Sequence, residues 1–169
     1  MDDRPALRRA TNEDAPDLAE LWIEFGRYYA DLDPLQYRVP KREGLVEWFS
    51  RQLDEQVGED QMWLVAQGRD RLVGSIHGEI WRPTETAEWE LIRDLGETAL
   101  KVNHLIVTEA ERRKGVGHAL MDAVEEWGRG RGATRAFLIS AADSPSSVPF
   151  YEEGMGYRRK TIGFWKSLR

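Results

Sequence analysis

The stretch Val107-Thr108-Glu109-Ala110-Glu111-Arg112-Arg113-Lys114-Gly115-Val116-Gly117-His118-Ala119-Leu120 decides how the rest of the chain is read. Ahead of it, Leu100 to Val107 is an apolar run of strand length. Behind it, Val116, Leu120, Ala123, Val124 and Trp127 recur at helical spacing, and Gly128, Gly130 and Gly132 close the pattern. Strand, short polar connection and helix thus follow one another, with Arg-x-x-Gly-x-Gly at the helix entry. A helix start leaves about four backbone N–H groups without intrahelical partners and carries a partial positive charge. Glycines there let a phosphate approach the bare backbone. The segment suits a pyrophosphate, and the basic triplet Arg112, Arg113 and Lys114 suits a ligand with several phosphates. The plainer reading of Gly-x-Gly alone is a basic loop with a turn glycine.

Two familiar phosphate motifs do not fit. A Walker loop places Lys and Ser or Thr after its last glycine, whereas Lys114 precedes both glycines here. A dinucleotide fingerprint needs a third glycine where Leu120 stands.

The chain around this stretch reads as strands interleaved with helices. Ala6 to Ala10 is a short strand candidate, and Thr11 with Asp14 forms a weak capping box. Leu18, Leu21, Trp22, Phe25, Tyr28 and Tyr29 predict a helix over 13–30, ended by Asp33-Pro34. Leu45, Trp48, Phe49, Leu53 and Val57 predict a second over 42–57, stopped by Gly58. Strands are expected at 62–67 and 72–81 around the turn Gly68-Arg69-Asp70-Arg71. An irregular polar insertion runs from Arg82 to Thr98. Beyond the central helix come a strand at 134–140, a short helix from Pro145 to about Glu153, and one or two terminal strands within 157–168. That order implies an α/β chain with a mixed sheet covered on both faces. No repeat, low-complexity tract or linker divides it, so 1–169 is expected to be a single domain.

A second segment is Ser144-Pro145-Ser146-Ser147-Val148-Pro149-Phe150-Tyr151-Glu152-Glu153-Gly154-Met155-Gly156-Tyr157. Together, Arg-x-x-Gly-x-Gly after a strand and this segment resemble the GCN5-related N-acetyltransferases (GNAT superfamily). In that family the second segment reads Asn-x-x-Ala-x-x-Phe-Tyr-Glu-x-x-Gly-Phe. The resemblance spans nearly the whole chain. It implies the GNAT fold, an α/β (α+β) mixed sheet flanked by helices on both faces, whose central strands splay to admit the pantetheine arm of acetyl-coenzyme A.

The resemblance also implies roles for particular residues. Leu105, Ile106 and Val107 would lie along the pantetheine, with the Leu105 N–H on the acetyl oxygen. Arg112, Arg113, Lys114, Gly115, Val116, Gly117 and His118 would hold the pyrophosphate, mainly through amides. Ser144 and Ser147 stand where the family has Asn and Ala, and the resemblance implies that they too would bind the cofactor, with that hydrogen bonding only partly preserved. Tyr151 would protonate the departing thiolate; a phenol with pKa near 10 is a reasonable acid for a thiolate of similar basicity. One residue more than usual separates Tyr151 from Gly156; either a loop at Gly154 absorbs it, or it shifts the helix register and re-aims Tyr151. The position of a family glutamate on the central strand is Lys101, so the base is sought at Glu79, with His104 as the titratable alternative.

The expected activity is transfer of acetyl from acetyl-coenzyme A directly to a primary amine. The resemblance implies that two regions rim the acceptor side: the insertion, with Glu85, Glu88, Glu90, Asp94, Glu97 and Trp89, and the turn after the first helix, with Asp31 and Asp33 beside Tyr28, Tyr29 and Tyr37. Such a rim would favour a small cationic acceptor, polyamine or aminoglycoside-like, by steering and cation–π contact, the plainer reading being a solvated acidic loop. Alternatives are a peptide or protein N-acetyltransferase, a non-catalytic acyl-coenzyme A sensor, or an unrelated ATP- or NAD-binding module. Composition narrows the field. A net charge of −6 argues against general nucleic-acid binding. The absence of cysteine excludes disulfides, thiolate metal sites and an acyl-cysteine intermediate. His77, His104 and His118 lack metal-ligand spacing. No apolar run reaches the ~20 residues of a membrane span, and Met1-Asp2-Asp3-Arg4 does not begin like a signal peptide, so a cytoplasmic protein is expected. The resemblance also allows a homodimer, which Phe164 and Trp165 could serve, with core packing as the equal alternative for both residues.

Overall fold

The computed structural model describes residues 5–55, 58–166 and 168. By internal contacts the chain falls into two compact units, Met1–Ile139 and Ser140–Arg169.

The first unit is an open five-stranded sheet in the order β1 (Ala6–Arg9), β2 (Gln61–Gln67), β3 (Leu72–Trp81), β4 (Ala99–Val107) and β5 (Arg135–Leu138). The first three pairings are antiparallel, and β4 and β5 are parallel. This is the mixed α/β sheet that the order of elements predicts. Helices α1 (Ala15–Leu32) and α2 (Leu45–Glu55) bury Leu18, Ala19, Leu21 and Phe49 in one core with Trp63, Val65 and Ile106 of the sheet. Helix α3 (Val116–Gly130) packs on the opposite face with Val116, Leu120, Met121 and Val124 inward.

Alternation along the strands explains this division, since successive side chains point to opposite faces. Trp63 and Val65 face α1 and α2, while Gly74 and Gly78 turn bare backbone towards α3. A Cβ on Gly78 would lie 2.5 Å from Val124 Cγ2 and 3.1 Å from Leu100 Cδ1. Gly78→Val should therefore destabilise the protein by about 3 kcal/mol through overpacking. Gly130→Ala, which enters open space, should leave the urea midpoint unchanged or raise it. Equal midpoints for Gly78→Val and the parent would show that α3 does not seat there.

The ends of α1 follow local chemistry. The Thr11 N–H donates to Asp14 Oδ2 at 2.8 Å, as the capping box predicts. Asp14 is buried and also accepts two bonds of 2.7 Å from Arg8, which hold its carboxyl below the usual range. At the other end Asp33 Oδ1 accepts the N–H groups of Leu35 and Gln36 and turns the chain before α2. Helix α2 is shorter than its pattern: Leu45 and Phe49 are buried, Trp48 is 37% exposed, and Val57 lies outside the described residues. The insertion 82–98 is not wholly irregular. It forms 3₁₀ turns at Ala87–Trp89 and Arg93–Gly96, tied down by Arg135 Nη2 donating to the Asp94 carbonyl at 2.8 Å.

The second unit holds a short helix, α4 (Ser147–Pro149), that widens into a π-helical turn over Phe150–Gly154. The Met155 N–H reaches back five residues to the Phe150 carbonyl at 3.0 Å. The supernumerary residue before Gly156 is thus absorbed inside the helical turn that carries Tyr151, the second of the two alternatives the spacing leaves, and not by a loop at Gly154. A single inserted residue in a helix commonly takes this form. Gly156, at φ 72°, then reverses the chain so that the Tyr157 N–H donates to the Tyr151 carbonyl at 2.9 Å.

The terminal strands expected within 157–168 do not form among the described residues, and Ile162, Phe164 and Trp165 are exposed. Alternation indicates which side chains could share a face. It supplies no partner for the backbone N–H and C=O groups, and a strand needs one.

Candidate active site

The site grows from a mismatch between the two neighbours of β4. On one side β3 pairs with β4 from Trp81–Ala99 to Gly74–Val107. On the other, β5 pairs only with Ala99 to Val102. Residues Asn103 to Val107 therefore run past the end of the β4–β5 pairing. The Thr108 N–H donates to the Val73 carbonyl at 2.9 Å, which fixes which peptide groups face β3. Because those groups alternate, Leu105 and Val107 turn their N–H and C=O groups to the open edge. Ile106 does not join them: its backbone faces β3 and its side chain is buried. Its expected place along a ligand is corrected to a packing one.

The open edge leads into the loop before α3. Arg113 has φ 61°, the only non-glycine with positive φ among the described residues, and Gly115 follows at 87°. A left-handed conformation at a residue with a Cβ costs about 1–2 kcal/mol, and such strain gathers at functional sites. Left-handed residues in such a turn aim backbone N–H groups into an anion-binding concavity. Helix α3 begins at Gly115, which has no side chain to cap it, and the first intrahelical bond runs from the Ala119 N–H to the Gly115 carbonyl at 3.0 Å. Val116 is buried, Gly117 half-buried and His118 exposed in that first turn.

The basic side chains are used differently from the amides. Arg112 Nε donates to the Val107 carbonyl at 3.1 Å, and its guanidinium lies 5.2 Å from the centre of the Tyr28 ring. Lys114 Nζ pairs with Glu111 at 3.1 Å. Arg112 thus clamps the loop to the strand end, and α1 adds Glu24, which accepts the Glu109 N–H at 2.8 Å.

Across the face towards α1 lies a row of rings. Trp63 stacks on His77 at 4.5 Å between centroids, and His104 touches Trp22, Trp63 and His77. Burial pushes the pKa of His77 down to about 4, with Glu79 opposing and Lys101 reinforcing the shift. His104, also buried and beside His77, is pushed down to about 3, chiefly by burial. Both rings are neutral at pH 7. His104 is therefore a packed core residue and a poor proton acceptor.

Glu79 stands at the margin of this row, half-buried, opposite Gln61 on β2 and Lys101 on β4. Lys101 does not pair with it closely; its ammonium lies 5.0 Å from the Trp81 ring centre. Asn103 instead donates to Glu79 Oε2 at 3.3 Å. Asn103 and His77 were not singled out by sequence. The signal available was polar Asn103-His104 in the middle of a strand that is apolar on either side but for Lys101, asparagine being disfavoured in strands.

In the second unit Ser144 is buried, and its Oγ accepts the Ser147 N–H at 3.1 Å and bonds the Ser147 hydroxyl at 3.0 Å. The pair thereby closes the start of the short helix. Tyr151 is half-buried, with its ring 5.1 Å from Phe150 and 5.9 Å from Tyr157.

A mixed sheet in which β4 runs on past its pairing with β5 and leads into a glycine-started helix is the frame of this site. The chain belongs to the acetyltransferase (GNAT) family, whose model matches residues 18–157. Solved structures share the fold. A transcriptional regulator from Bacillus halodurans C-125 is 20% identical with a TM-score of 0.72, covering 97% of this chain and 99% of its own. An acetyltransferase of Trypanosoma brucei is 22% identical, with a TM-score of 0.66 and coverage of 96% and 99%. An aminoglycoside acetyltransferase from an uncultured soil metagenomic sample, in complex with sisomicin, is 15% identical, with a TM-score of 0.64 and 99% coverage of both chains. No curated protein is matched by sequence. No helix among the described residues is long and apolar enough to cross a membrane.

Proposed function

We propose that this protein transfers an acetyl group from acetyl-coenzyme A directly to a primary amine. The observation that carries this reading is the continuity of the open edge of β4 with the left-handed turn at Arg113 and Gly115 and the uncapped start of α3. The edge offers Leu105 and Val107 peptide groups to the amide-rich pantetheine arm. The turn offers the amides of Arg113, Lys114, Gly115, Val116, Gly117 and His118 to the pyrophosphate. ATP would use the second feature but not the first.

In the reaction, the Leu105 N–H donates to the acetyl oxygen as it becomes an oxyanion. The amine nitrogen forms the new C–N bond, and Glu79, directly or through water, takes the proton it sheds. As the C–S bond breaks, Tyr151 gives its phenolic proton to the thiolate and regains one from solvent. Ser144 and Ser147 hold the turn that carries Tyr151. No covalent enzyme intermediate is involved.

The acceptor proposed is a small cationic amine of polyamine or aminoglycoside type. Glu85, Glu88 and Glu90 are exposed in the insertion beside Trp89, which is 81% exposed. The acidic and aromatic residues at the end of α1 contribute less than their composition suggests. Tyr28 meets Arg112, Tyr29 packs at a tilt against Tyr37, and Asp33 is occupied by its own turn.

Isothermal titration of acetyl-coenzyme A, with ATP as control, tests the cofactor. Micromolar binding of the first alone is expected, and ATP binding in its place would overturn the proposal. Tyr151→Phe should then lower kcat by about 10²-fold, within the range of general acid catalysis, with acetyl-coenzyme A affinity unchanged. Wild-type binding without turnover of any amine offered would instead indicate an acyl-coenzyme A sensor.

A further inference from the structure

The bulge in β4 has a use of its own. Pairing with β3 runs in step from Val107 down to His104, opposite His77, and resumes at Val102, opposite Gly78. Asn103 is the extra residue between them. A bulge re-aims the side chain it carries, and bulges are common beside active sites.

At Asn103 the re-aimed group is a carboxamide with two amide protons and two acceptors before it. Its Nδ2 lies 3.2 Å from His77 Nδ1 and 3.3 Å from Glu79 Oε2. The far side of the His77 ring, Nε2, lies 2.6 Å from Gln61 Oε1. Only one assignment satisfies all three contacts. His77 is neutral with its proton on Nε2, which donates to the Gln61 oxygen, and its bare Nδ1 accepts one proton of Asn103. The second Asn103 proton goes to the Glu79 carboxylate. Stacking on Trp63 and contact with His104 hold the ring in place, and its burial keeps it neutral. The chain Gln61–His77–Asn103–Glu79 therefore runs from half-buried Gln61 through the buried His77 ring and the exposed Asn103 amide to the half-buried carboxylate, with each donor matched to an acceptor.

We infer that Asn103 is a positioning residue, anchored by His77, that holds the Glu79 carboxylate in one rotamer to receive the proton of the acceptor amine. Lys101, the cross-strand neighbour of Glu79, lies over Trp81 and does not close on the carboxylate, so the neutral amide orients it without neutralising it. This inference rests on Glu79 as the proton acceptor proposed above.

The test uses the full chain, labelled with ¹⁵N and ¹³C, without acetyl-coenzyme A or an amine. Three-bond couplings report the Glu79 χ1 rotamer, and imidazole ¹⁵N shifts report the His77 tautomer. One Glu79 rotamer and a protonated His77 Nε2 are expected in the parent. Asn103→Ala and His77→Phe should both release Glu79 into rotamer averaging, the latter while keeping an aromatic ring against Trp63. His77→Asn, whose Oδ1 replaces the lost acceptor, should restore the single rotamer. Averaging of Glu79 in the parent, or a single rotamer surviving Asn103→Ala, would overturn the inference. Undiminished turnover by Glu79→Gln would instead remove the catalytic reading of Glu79 and leave the result on Asn103 standing.

Discussion

Gly117→Glu is expected to weaken acetyl-coenzyme A binding by about a hundredfold or more, equivalent to about 2.7 kcal/mol, with the fold intact. Gly117 lies in the first turn of α3, half-buried, directly after the left-handed Gly115 and the buried Val116. For folding, the change is favourable. A carboxylate near a helix start interacts well with the macrodipole, by about 0.3–1 kcal/mol, and glutamate is a better helix former than glycine. For binding, it is severe. The new charge would sit where the proposed pyrophosphate approaches, and two like charges about 5 Å apart repel by about 3 kcal/mol at an effective dielectric constant near 20. Thermal unfolding and titration calorimetry on the same sample separate the two effects. A melting temperature equal to or above the parent's, with binding lost, is expected. Unchanged affinity would show that the phosphates bind elsewhere.

The second large effect is a loss of stability in mild acid, caused by the two buried histidines. His77 and His104 have folded pKa values pushed down to about 4 and about 3, principally by burial. In the unfolded chain a histidine titrates near 6.5. Above that value both states are neutral and the groups add no pH dependence. Below it the unfolded state binds protons that the folded state refuses, so stability falls as pH falls from about 6.5 towards about 4. By pH 5 each histidine should contribute about 2 kcal/mol of destabilisation, and the pair about 4 if they act independently. Asp14, whose carboxyl is held low by Arg8, acts in the same sense but only as pH drops below the ordinary carboxylate range.

Urea midpoints at pH 7 and pH 5 measure the effect, with His104→Phe as the informative variant. His104 Nε2 is buried without a hydrogen-bond partner in the structure, and phenylalanine keeps its contacts with Trp22 and Trp63. The substitution should leave stability at pH 7 equal or higher, because an unsatisfied buried polar atom is removed. It should also halve the loss between pH 7 and pH 5. An unaltered loss would mean that His104 is not buried neutral.

What was legible in the sequence follows from where the information is local. Helical spacing marks α1 and α3, because a face that must be buried recurs with the period of the backbone. The Thr11–Asp14 box, the Asp33-Pro34 stop and the glycines flanking α3 act within a few residues, and each was readable in advance. So was the strand–loop–helix motif, since strand end, loop and helix start are contiguous. Family membership rests on that contiguity as much as on residue identity.

Other features depend on partners far along the chain. Nothing in residues 157–168 distinguishes a paired strand from an exposed alternating segment, because pairing belongs to the neighbour. Val57 apart, the pattern over α2 marks Trp48 as inward like Phe49, whereas Phe49 is buried and Trp48 packs only one side against Trp22 and Phe49 and keeps the other in solvent. Arg112 reads as a phosphate ligand until the Val107 carbonyl and the Tyr28 ring, remote on α1, come to meet it.

The sequence by itself therefore determined the order of elements as far as the short helix after β5, the mixed sheet and the glycine-started helix, because propensity, periodicity and turn chemistry operate over a few residues. Only the tertiary structure decided that β4 outruns β5, that Ile106 packs while Leu105 and Val107 face an open edge, and that Asn103 stands between His77 and Glu79. These depend on strand register and on one bulged residue, which long-range pairing sets and local sequence does not encode.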